Sequence, residues 1–384
     1  MQLSRSGAFT LLAVACLTIM VGCVIVPGLP SIAAQLGVGS AASWLVTLPS
    51  LGVILFGPLA GRLIERLGLY RSLCLGLFAY GLLGVAAAIL HGPVVVFVDR
   101  LLLGGATAVV MAAGTGLLSV FYEGQARLAM IARQGMAIEL GGVIFLFIGG
   151  LLATLGWRWP FLLYLSAWVF LGMVLLFIPR PAEALDEDTA PAAPVPKALK
   201  AVFGFAALSM IIFFTGVILL PLSLHGIGLD EAQVGYFLSF VSLVAVVAAA
   251  LMPRLNAHLG AHGTLLLAFA FYTSAYALFG FASSLGWLIL GATCMGLGFG
   301  FSIPLVNHLT LEQSTPRQRG KHLAYLSMAI FGGQFLSSFM EWMPGEPAAV
   351  FRWAGVLGVM GMGWAVWVRG ALGREMSGSH SARG

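Results

Sequence analysis

Charged residues are scarce in this chain. Asp, Glu, Lys and Arg make up 9% of its 384 residues, whereas 60% are hydrophobic. Because a soluble domain carries about 25% charged residues, this composition excludes an ordinary soluble domain and favours a bilayer as the solvent. The net charge of +5 is spread along the chain without a long Lys/Arg run. It therefore indicates basic membrane-flanking segments and argues against a nucleic-acid partner.

Cysteine and catalytic clusters are also sparse. The four cysteines lie inside apolar runs without C-x-x-C spacing, so we expect neither a disulfide nor a metal site. The apolar runs contain no paired carboxylates and no nucleophile triad, and the only run of three acidic residues, at 186–188, lies in a Pro- and Ala-rich stretch. We therefore expect a protein that is not an enzyme and that carries no cofactor. The first apolar stretch continues past Cys23, which favours a spanning helix over a cleaved signal peptide.

Long apolar runs are what the sequence has in abundance. Hydrocarbon offers no hydrogen-bond partner to the backbone, so each run long enough to cross a membrane is expected to be helical. We predict an all-α membrane protein with twelve transmembrane helices. The runs are residues 7–29, 43–64, 72–91, 93–119, 133–155, 158–178, 199–222, 233–253, 263–283, 285–307, 322–341 and 349–369.

The basic residues are unevenly distributed between these runs. If the N-terminus is cytoplasmic and every run spans, sixteen of the nineteen Lys and Arg residues fall on the cytoplasmic side. The other three are Arg100, Arg158 and Arg352. One miscounted span would invert every later segment, so the bias supports twelve spans with both termini inside. We expect a bacterial-type inner membrane location and a monomer.

The chain also repeats itself at half its length. The segment around Gly68 recurs 192 residues later around Gly260, and Gly104 has the same offset from Gly296. This pattern predicts two pseudo-symmetric six-helix bundles, a plan typical of transporters. We place the bundles at 1–178 and 199–371, with a Pro- and Ala-rich cytoplasmic linker at 179–198 and a short cytoplasmic tail at 372–384.

The segment after the second run resembles a known signature. The major facilitator superfamily carries G-x-L-a-D-R-x-G-R-K/R-R at this place, and the chain resembles that family over nearly its whole length. Glu65 stands for the usual Asp, and Leu69 and Tyr70 replace two basic positions. The residues that match are Gly61, Leu63, Arg66, Gly68 and Arg71.

The resemblance implies a gating loop whose charges latch onto a neighbouring helix. Its residues would be Gly61, Glu65, Arg66, Gly68 and Arg71. The alternative is a generic basic cytoplasmic loop without a latch.

A second resemblance to the family lies in the fourth run. Arg100, which follows Asp99, and Gly104 match the R-x-x-x-G motif of proton-coupled family members. The resemblance implies that Arg100, with Asp99, assists coupling. An Arg within a span should face a cavity and have a partner. The alternative is that Arg100 lies near the outer interface and extends its charge to water. Adjacent helix positions point about 100° apart, so Asp99 and Arg100 need not pair.

Glu139 lies between Ile138 and Leu140 in the fifth run. An unpaired carboxyl in hydrocarbon favours its protonated form, and such a group can take up and release protons as access alternates. Glu139 is thus our candidate for proton coupling. Alternatively it is a structural partner of Arg100 or of a loop Arg.

Two patterns bear on the direction of transport. The fifth run keeps Gly141 and Gly149-Gly150 of an exporter motif but has Phe145-Leu146 where Gly-Pro would fall. Close helix packing would also explain these glycines. The segment from Pro27 to Ile32 resembles the end of helix one in the drug/proton antiporter branch.

We therefore predict a secondary transporter for proton-coupled efflux of a small amphipathic solute by alternating access. Alternatives are a proton symporter for a sugar or organic acid, a lipid-handling transporter, and a membrane sensor or scaffold. Family topology implies that polar and aromatic side chains line the substrate cavity. These are Trp44, Tyr236, Asn307, Tyr325, Gln334 and Glu341.

Overall fold

The protein is helical throughout the part that the structure describes. This computed structural model describes residues 3–180, 195–281, 284–315, 318–344 and 347–381, and these ranges contain no β-strand. The predicted all-α fold class is confirmed. Most of the expected linker, including its acidic cluster at 186–188, lies outside the described residues.

Twelve α-helices follow one another along the described chain, with short 3-10 segments between some of them. In order they are α1 Arg5–Cys23, α2 Leu29–Leu36, α3 Ala42–Ala86, α4 Pro93–Phe121, α5 Gly124–Leu155, α6 Trp159–Leu162, α7 Ser166–Phe177, α8 Lys197–Gly226, α9 Glu231–Phe281, α10 Leu285–Glu312, α11 Arg319–Leu336 and α12 Pro347–Ser381.

The first apolar run is divided between a long helix and a short one. The Ser4 hydroxyl accepts a hydrogen bond of 3.1 Å from the Gly7 N–H, which caps the start of α1. The helix ends at Cys23, before the predicted end of the run, and a turn leads into α2. Pro30 lies in the first turn of α2, where its missing N–H costs little.

α3 and α9 are each much longer than one membrane crossing. They contain 45 and 51 residues, and each consists of two helices that meet at a kink. Gly68 interrupts α3 at φ 76° and ψ 163°, and Gly260 interrupts α9 at φ 69° and ψ 171°. Only glycine adopts this backbone region readily. The same conformation at two positions related by the sequence repeat supports the duplication.

Ten helical segments of the described residues are long and apolar enough to cross a membrane. Two of them are α3 and α9, each of which extends over two of the predicted apolar runs. The ten segments thus account for all twelve runs, while twelve separate crossings stay a prediction.

The contacts divide the chain into two compact units. The first comprises Met1–Leu185 with Leu220–Ser242, and the second comprises Asp186–Leu219 with Leu243–Gly384. The first unit therefore includes the end of α8 and the start of α9. The bundle boundaries expected from the sequence stay a prediction.

Aromatic side chains fill the core of the second unit. The rings of Phe205 and Trp364 stack at 4.1 Å between centroids. The Tyr276 hydroxyl donates to the Ile212 carbonyl, and the Tyr272 and Ser302 hydroxyls lie 3.3 Å apart. These contacts tie α8, α9, α10 and α12 together, and they satisfy polar groups that burial would otherwise penalise.

Candidate functional site

A buried ion pair lies near the start of α4. The Arg100 Nη2 atom is 2.8 Å from Asp99 Oδ2, and the Arg100 Nε atom is 3.2 Å from the same oxygen. The Arg100 side chain is 0% exposed, so the alternative in which it extends to water is wrong. Adjacent residues on a helix do pair here because the long arginine side chain can fold back onto the short aspartate.

Carbonyl groups of α3 complete the surroundings of the guanidinium. Arg100 Nη2 lies 3.3 Å from the Leu83 oxygen and 3.4 Å from the Gly84 oxygen. Gly84 has no space for a side chain, since a Cβ there would overlap the ring of Tyr164. The missing side chain at Gly84 thus lets Tyr164 pack closely against α3 beside the ion pair.

Two aromatic rings from the segment after α5 cover the other side of Arg100. Its Cζ atom is 5.6 Å from the Phe161 ring centroid and 5.5 Å from that of Tyr164, which are cation–π distances. Arg100 Nη1 also donates to the Tyr164 hydroxyl at 3.4 Å. That hydroxyl donates to the Val21 carbonyl of α1 at 2.8 Å. Arg100 therefore links α4, α3, the Tyr164 segment and α1.

Tyr164 is the main residue of this cluster that the sequence patterns did not reveal. It is fully buried, and the ring of buried Tyr80 lies 5.8 Å away, with the Tyr80 hydroxyl bonded to the Leu17 carbonyl at 2.7 Å. A tyrosine inside an apolar run must find a partner for its hydroxyl. This requirement could have marked Tyr164 in the sequence as a residue with a buried polar contact.

Glu139 lies within α5, between Ala137 and Gly141, the two residues that contact Cys16 of α1. Its side chain is half-buried, and it forms no hydrogen bond or ion pair within the described ranges. The alternative that Glu139 pairs with Arg100 is wrong, because Asp99 takes that place. Two residues away, the Ala137 carbonyl accepts a hydrogen bond of 3.1 Å from the Cys16 thiol of α1.

Glycines let α5 approach α1 closely. A Cβ at Gly141 would meet the Cys16 Cβ at 2.9 Å, and one at Gly149 would overlap the Val24 carbonyl oxygen. These contacts run in the same order on both helices, so α1 and α5 are parallel. Phe145 and Leu146, which replace the Gly-Pro of the exporter motif, are buried. The packing explanation therefore applies to both Gly141 and Gly149.

The other face of α5 packs against the start of α9 within the first unit. A Cβ at Gly150 would meet the Gly235 Cα at 2.8 Å. The Ser239 hydroxyl donates to the Val143 carbonyl at 3.1 Å. Nearby, the Tyr236 ring stands 5.1 Å from the Phe147 ring. α5 is thus held on two sides along the stretch that follows Glu139.

The expected gating loop is helical except at Gly68. Glu65, Arg66 and Arg71 are exposed, and they form no salt bridge in the part of the chain that the structure describes. Gly61 has open space around its Cα. The latch thus stays a prediction for these residues.

The two departures from the family signature have packing roles. The Leu69 side chain lies where a Cβ on Gly116 of α4 would be, so it fills the groove beside that glycine. Tyr70 is buried, and the Arg180 guanidinium lies 5.6 Å from its ring centroid. Arg180 therefore supplies a positive charge beside the position where the signature has a basic residue.

The predicted cavity residues divide between the two units. In the first unit, Trp44 lies 5.6 Å from the Phe97 ring, and Tyr236 contacts Phe147. The remaining four belong to the second unit. Their positions are Asn307 on α10, Tyr325 and Gln334 on α11, and Glu341 on the 3-10 segment that follows α11.

The contacts or burial of three of those four residues bear on a binding role. The Asn307 amide donates to the Ile303 carbonyl at 2.9 Å. The Tyr325 ring has Lys321 Nζ 5.9 Å from its centroid, and Gln334 is buried. Tyr325 is thus the most accessible of the three.

The fold and the buried side chains define a polytopic α-helical membrane protein with an Asp–Arg pair inside its first unit. The model of the Major Facilitator Superfamily matches residues 10–338. The chain belongs to this superfamily of transporters.

Curated relatives match parts of the chain. It is 29% identical over 164 residues to an uncharacterized MFS-type transporter, EfpA, of Mycobacterium tuberculosis. The aligned segment covers 41% of this chain and 30% of the relative. It is 30% identical over 175 residues to the puromycin resistance protein pur8 of Streptomyces alboniger, covering 44% and 34%. The matched segments thus span about a third of these relatives' lengths.

A solved structure matches nearly the whole fold. The crystal structure of a D-xylose-proton symporter superposes with a TM-score of 0.75 over 94% of this chain and 96% of that chain. The two sequences are 16% identical, so this likeness concerns the fold alone.

Proposed function

We propose that this protein exports a small amphipathic organic solute in exchange for protons, by alternating access, and that Glu139 carries the proton. The proposal includes a monomer in a bacterial-type inner membrane with both termini in the cytoplasm. Trp44, Tyr236, Asn307, Tyr325, Gln334 and Glu341 are proposed to contact the solute.

The contrast between two acidic residues carries the proposal. Asp99 is bonded to Arg100, so its charge is already compensated. Glu139 lies between apolar neighbours, half-buried, and has no counter-charge among the described residues. A carboxyl in such surroundings is costly when ionised and becomes neutral by binding a proton. Glu139 is therefore the group whose charge can change as the site is opened to one side and then the other.

Arg100 is proposed to act on Glu139 through helix α1, without direct contact. Arg100 donates to Tyr164, and Tyr164 donates to Val21 near the end of α1. α1 packs on α5 through Cys16, which contacts Ala137 and Gly141, the residues two before and two after Glu139. A change in the ion pair would thus shift α1 against the turn of α5 that carries Glu139.

Three observations support the outward direction of transport. The glycines at 141 and 149–150 keep part of an exporter pattern in which Phe145-Leu146 replaces Gly-Pro, and the segment from Pro27 to Ile32 resembles the end of helix one in the drug/proton antiporter branch. The third observation is that the relative pur8 is named a puromycin resistance protein. Removal of a drug from the cell is one way to confer resistance, so a relative with this name fits an exporter.

Transport in everted membrane vesicles tests the proposal. Vesicles acidified inside by respiration would accumulate ethidium or puromycin if the protein exchanges protons for these solutes. We expect Glu139→Gln to abolish the gradient-driven part of the accumulation. Glu123→Gln is the matched control, because Glu123 is an exposed acid just before α5.

Two outcomes would contradict the proposal. Accumulation that Glu139→Gln leaves unchanged would show that the proton is carried elsewhere. Accumulation in right-side-out vesicles, driven by an inward proton gradient, would show symport and import instead of export.

A further inference from the structure

A shallow groove lies where the end of α3 meets the start of α6. It has a volume of about 440 Å³ and is lined by Ala88, Ile89, Arg158, Trp159 and Leu162. Small-molecule sites occupy about 300–1,000 Å³, so the groove is large enough for a ligand fragment. We refer to it as the Arg158 groove.

The groove combines one cation with apolar surface. Ile89 is 75% exposed, Trp159 is 46% exposed and Leu162 is 43% exposed. Arg158 stacks on the ring of Trp157 at 4.8 Å and forms no salt bridge within the described residues. The charge of Arg158 is therefore held in place but not compensated.

The position of the groove along the helices matches the edge of a bilayer. The stretch of α3 from Gly68 to Ala86 rises about 27 Å, close to the thickness of the hydrocarbon core. The groove begins just beyond Ala86, so it lies at the membrane boundary opposite the basic segment around Gly68. Tryptophan and arginine are typical at such a boundary, where rings face lipid chains and charges face headgroups.

We propose that the Arg158 groove binds an anionic phospholipid, with the phosphate against Arg158 and the upper acyl chain against Ile89, Trp159 and Leu162. Charge decides the class of lipid, because the lining contains one cation and no acid. A zwitterionic lipid would bring its own cation beside Arg158. An anionic headgroup supplies the opposite charge that Arg158 lacks in the protein.

Quenching of Trp159 by brominated lipids tests the proposal on the full-length protein in nanodiscs. Brominated phosphatidylglycerol and brominated phosphatidylcholine are compared at equal mole fraction, and a Trp159→Phe sample is subtracted to isolate the signal. One basic residue at a membrane surface changes the affinity for anionic lipid by about fivefold. We expect phosphatidylglycerol to be favoured by about that factor in wild type and not in Arg158→Gln.

Three further variants distinguish lipid binding at the Arg158 groove from attraction of lipid by the charge of the whole surface. Arg352→Gln is the matched control, because Arg352 is also exposed and also precedes a Trp, and it should keep the preference. Arg158→Lys should keep most of the preference. Ile89→Glu, at a position that is 75% exposed, should abolish it even if Arg158→Gln does not fold.

Equal quenching by the two lipids in wild type would overturn the proposal. An equal loss of preference in Arg352→Gln and Arg158→Gln would overturn it as well, since it would indicate attraction by the whole surface.

Discussion

Removal of Asp99 is the most quantitative test of the buried cluster. Breaking a buried ion pair by deleting one partner costs about 3–5 kcal/mol, because the other charge stays buried. In Asp99→Ala, Arg100 would keep the Leu83 and Gly84 carbonyls and the Tyr164 hydroxyl, all at 3.3–3.4 Å. These long contacts compensate part of the loss, so we expect a cost at the lower end, about 3 kcal/mol.

Two more variants divide that cost into charge and hydrogen bonding. Asp99→Asn keeps an acceptor oxygen for Arg100 and should lose about 1–2 kcal/mol. The double variant Asp99→Ala with Arg100→Met removes both charges and should be closer to wild type than Asp99→Ala alone, since apolar replacement of a buried pair is often neutral.

Equilibrium unfolding of the purified protein in mixed micelles, with increasing SDS, provides the measurement. Glu312→Gln is the control, because the Glu312–His308 pair is 3.8 Å long and both side chains are 52% exposed. Because solvent screens the two charges, that pair contributes about 0.3 kcal/mol to the free energy of unfolding. A loss below about 1 kcal/mol in Asp99→Ala, the range of exposed pairs, would refute the buried-pair reasoning.

Two further substitutions test the backbone and the helix packing, with thermal unfolding in detergent as the measurement. Gly68→Ala should destabilise by about 1–3 kcal/mol because φ at Gly68 is 76°, and Gly260→Ala should do the same. Gly61→Ala is the control, since Gly61 is helical with open space around it, and it should be neutral or stabilising; an equal loss there would contradict the strain explanation. Gly104→Val should cost about 1–3 kcal/mol or more, because a Cβ at Gly104 would overlap the Pro49 carbonyl oxygen of α3. Wild-type stability of this variant would show that α3 and α4 are not in such close contact.

Much of the fold could be predicted from run lengths and charge placement. Backbone groups in hydrocarbon force helices, and the positive-inside bias indicates their order. The repeat around Gly68 and Gly260 also predicted a common structure, and both glycines have nearly the same φ and ψ. The sequence predicted two helices on either side of each glycine, but not that one kinked residue is enough to separate them.

The site was predictable only in part. Asp99, Arg100 and Glu139 stood out because charges are rare in apolar runs. The pairing of Asp99 with Arg100 did not follow from spacing, because a side chain's partner depends on its length and rotamer as well as on its position. Tyr164 and Gly84 could not be assigned to Arg100, since that contact joins residues far apart in sequence.

The role of Glu139 is tested most directly by proton movement that solute transport drives. Proteoliposomes containing the dye pyranine report lumenal pH when an ethidium gradient is imposed across the membrane. Wild type should move protons in the direction opposite to the ethidium flow, and Glu123→Gln should behave as wild type. Glu139→Gln should move ethidium down its gradient without moving protons. Proton movement of wild-type size in Glu139→Gln would contradict the assignment of Glu139 as the proton carrier.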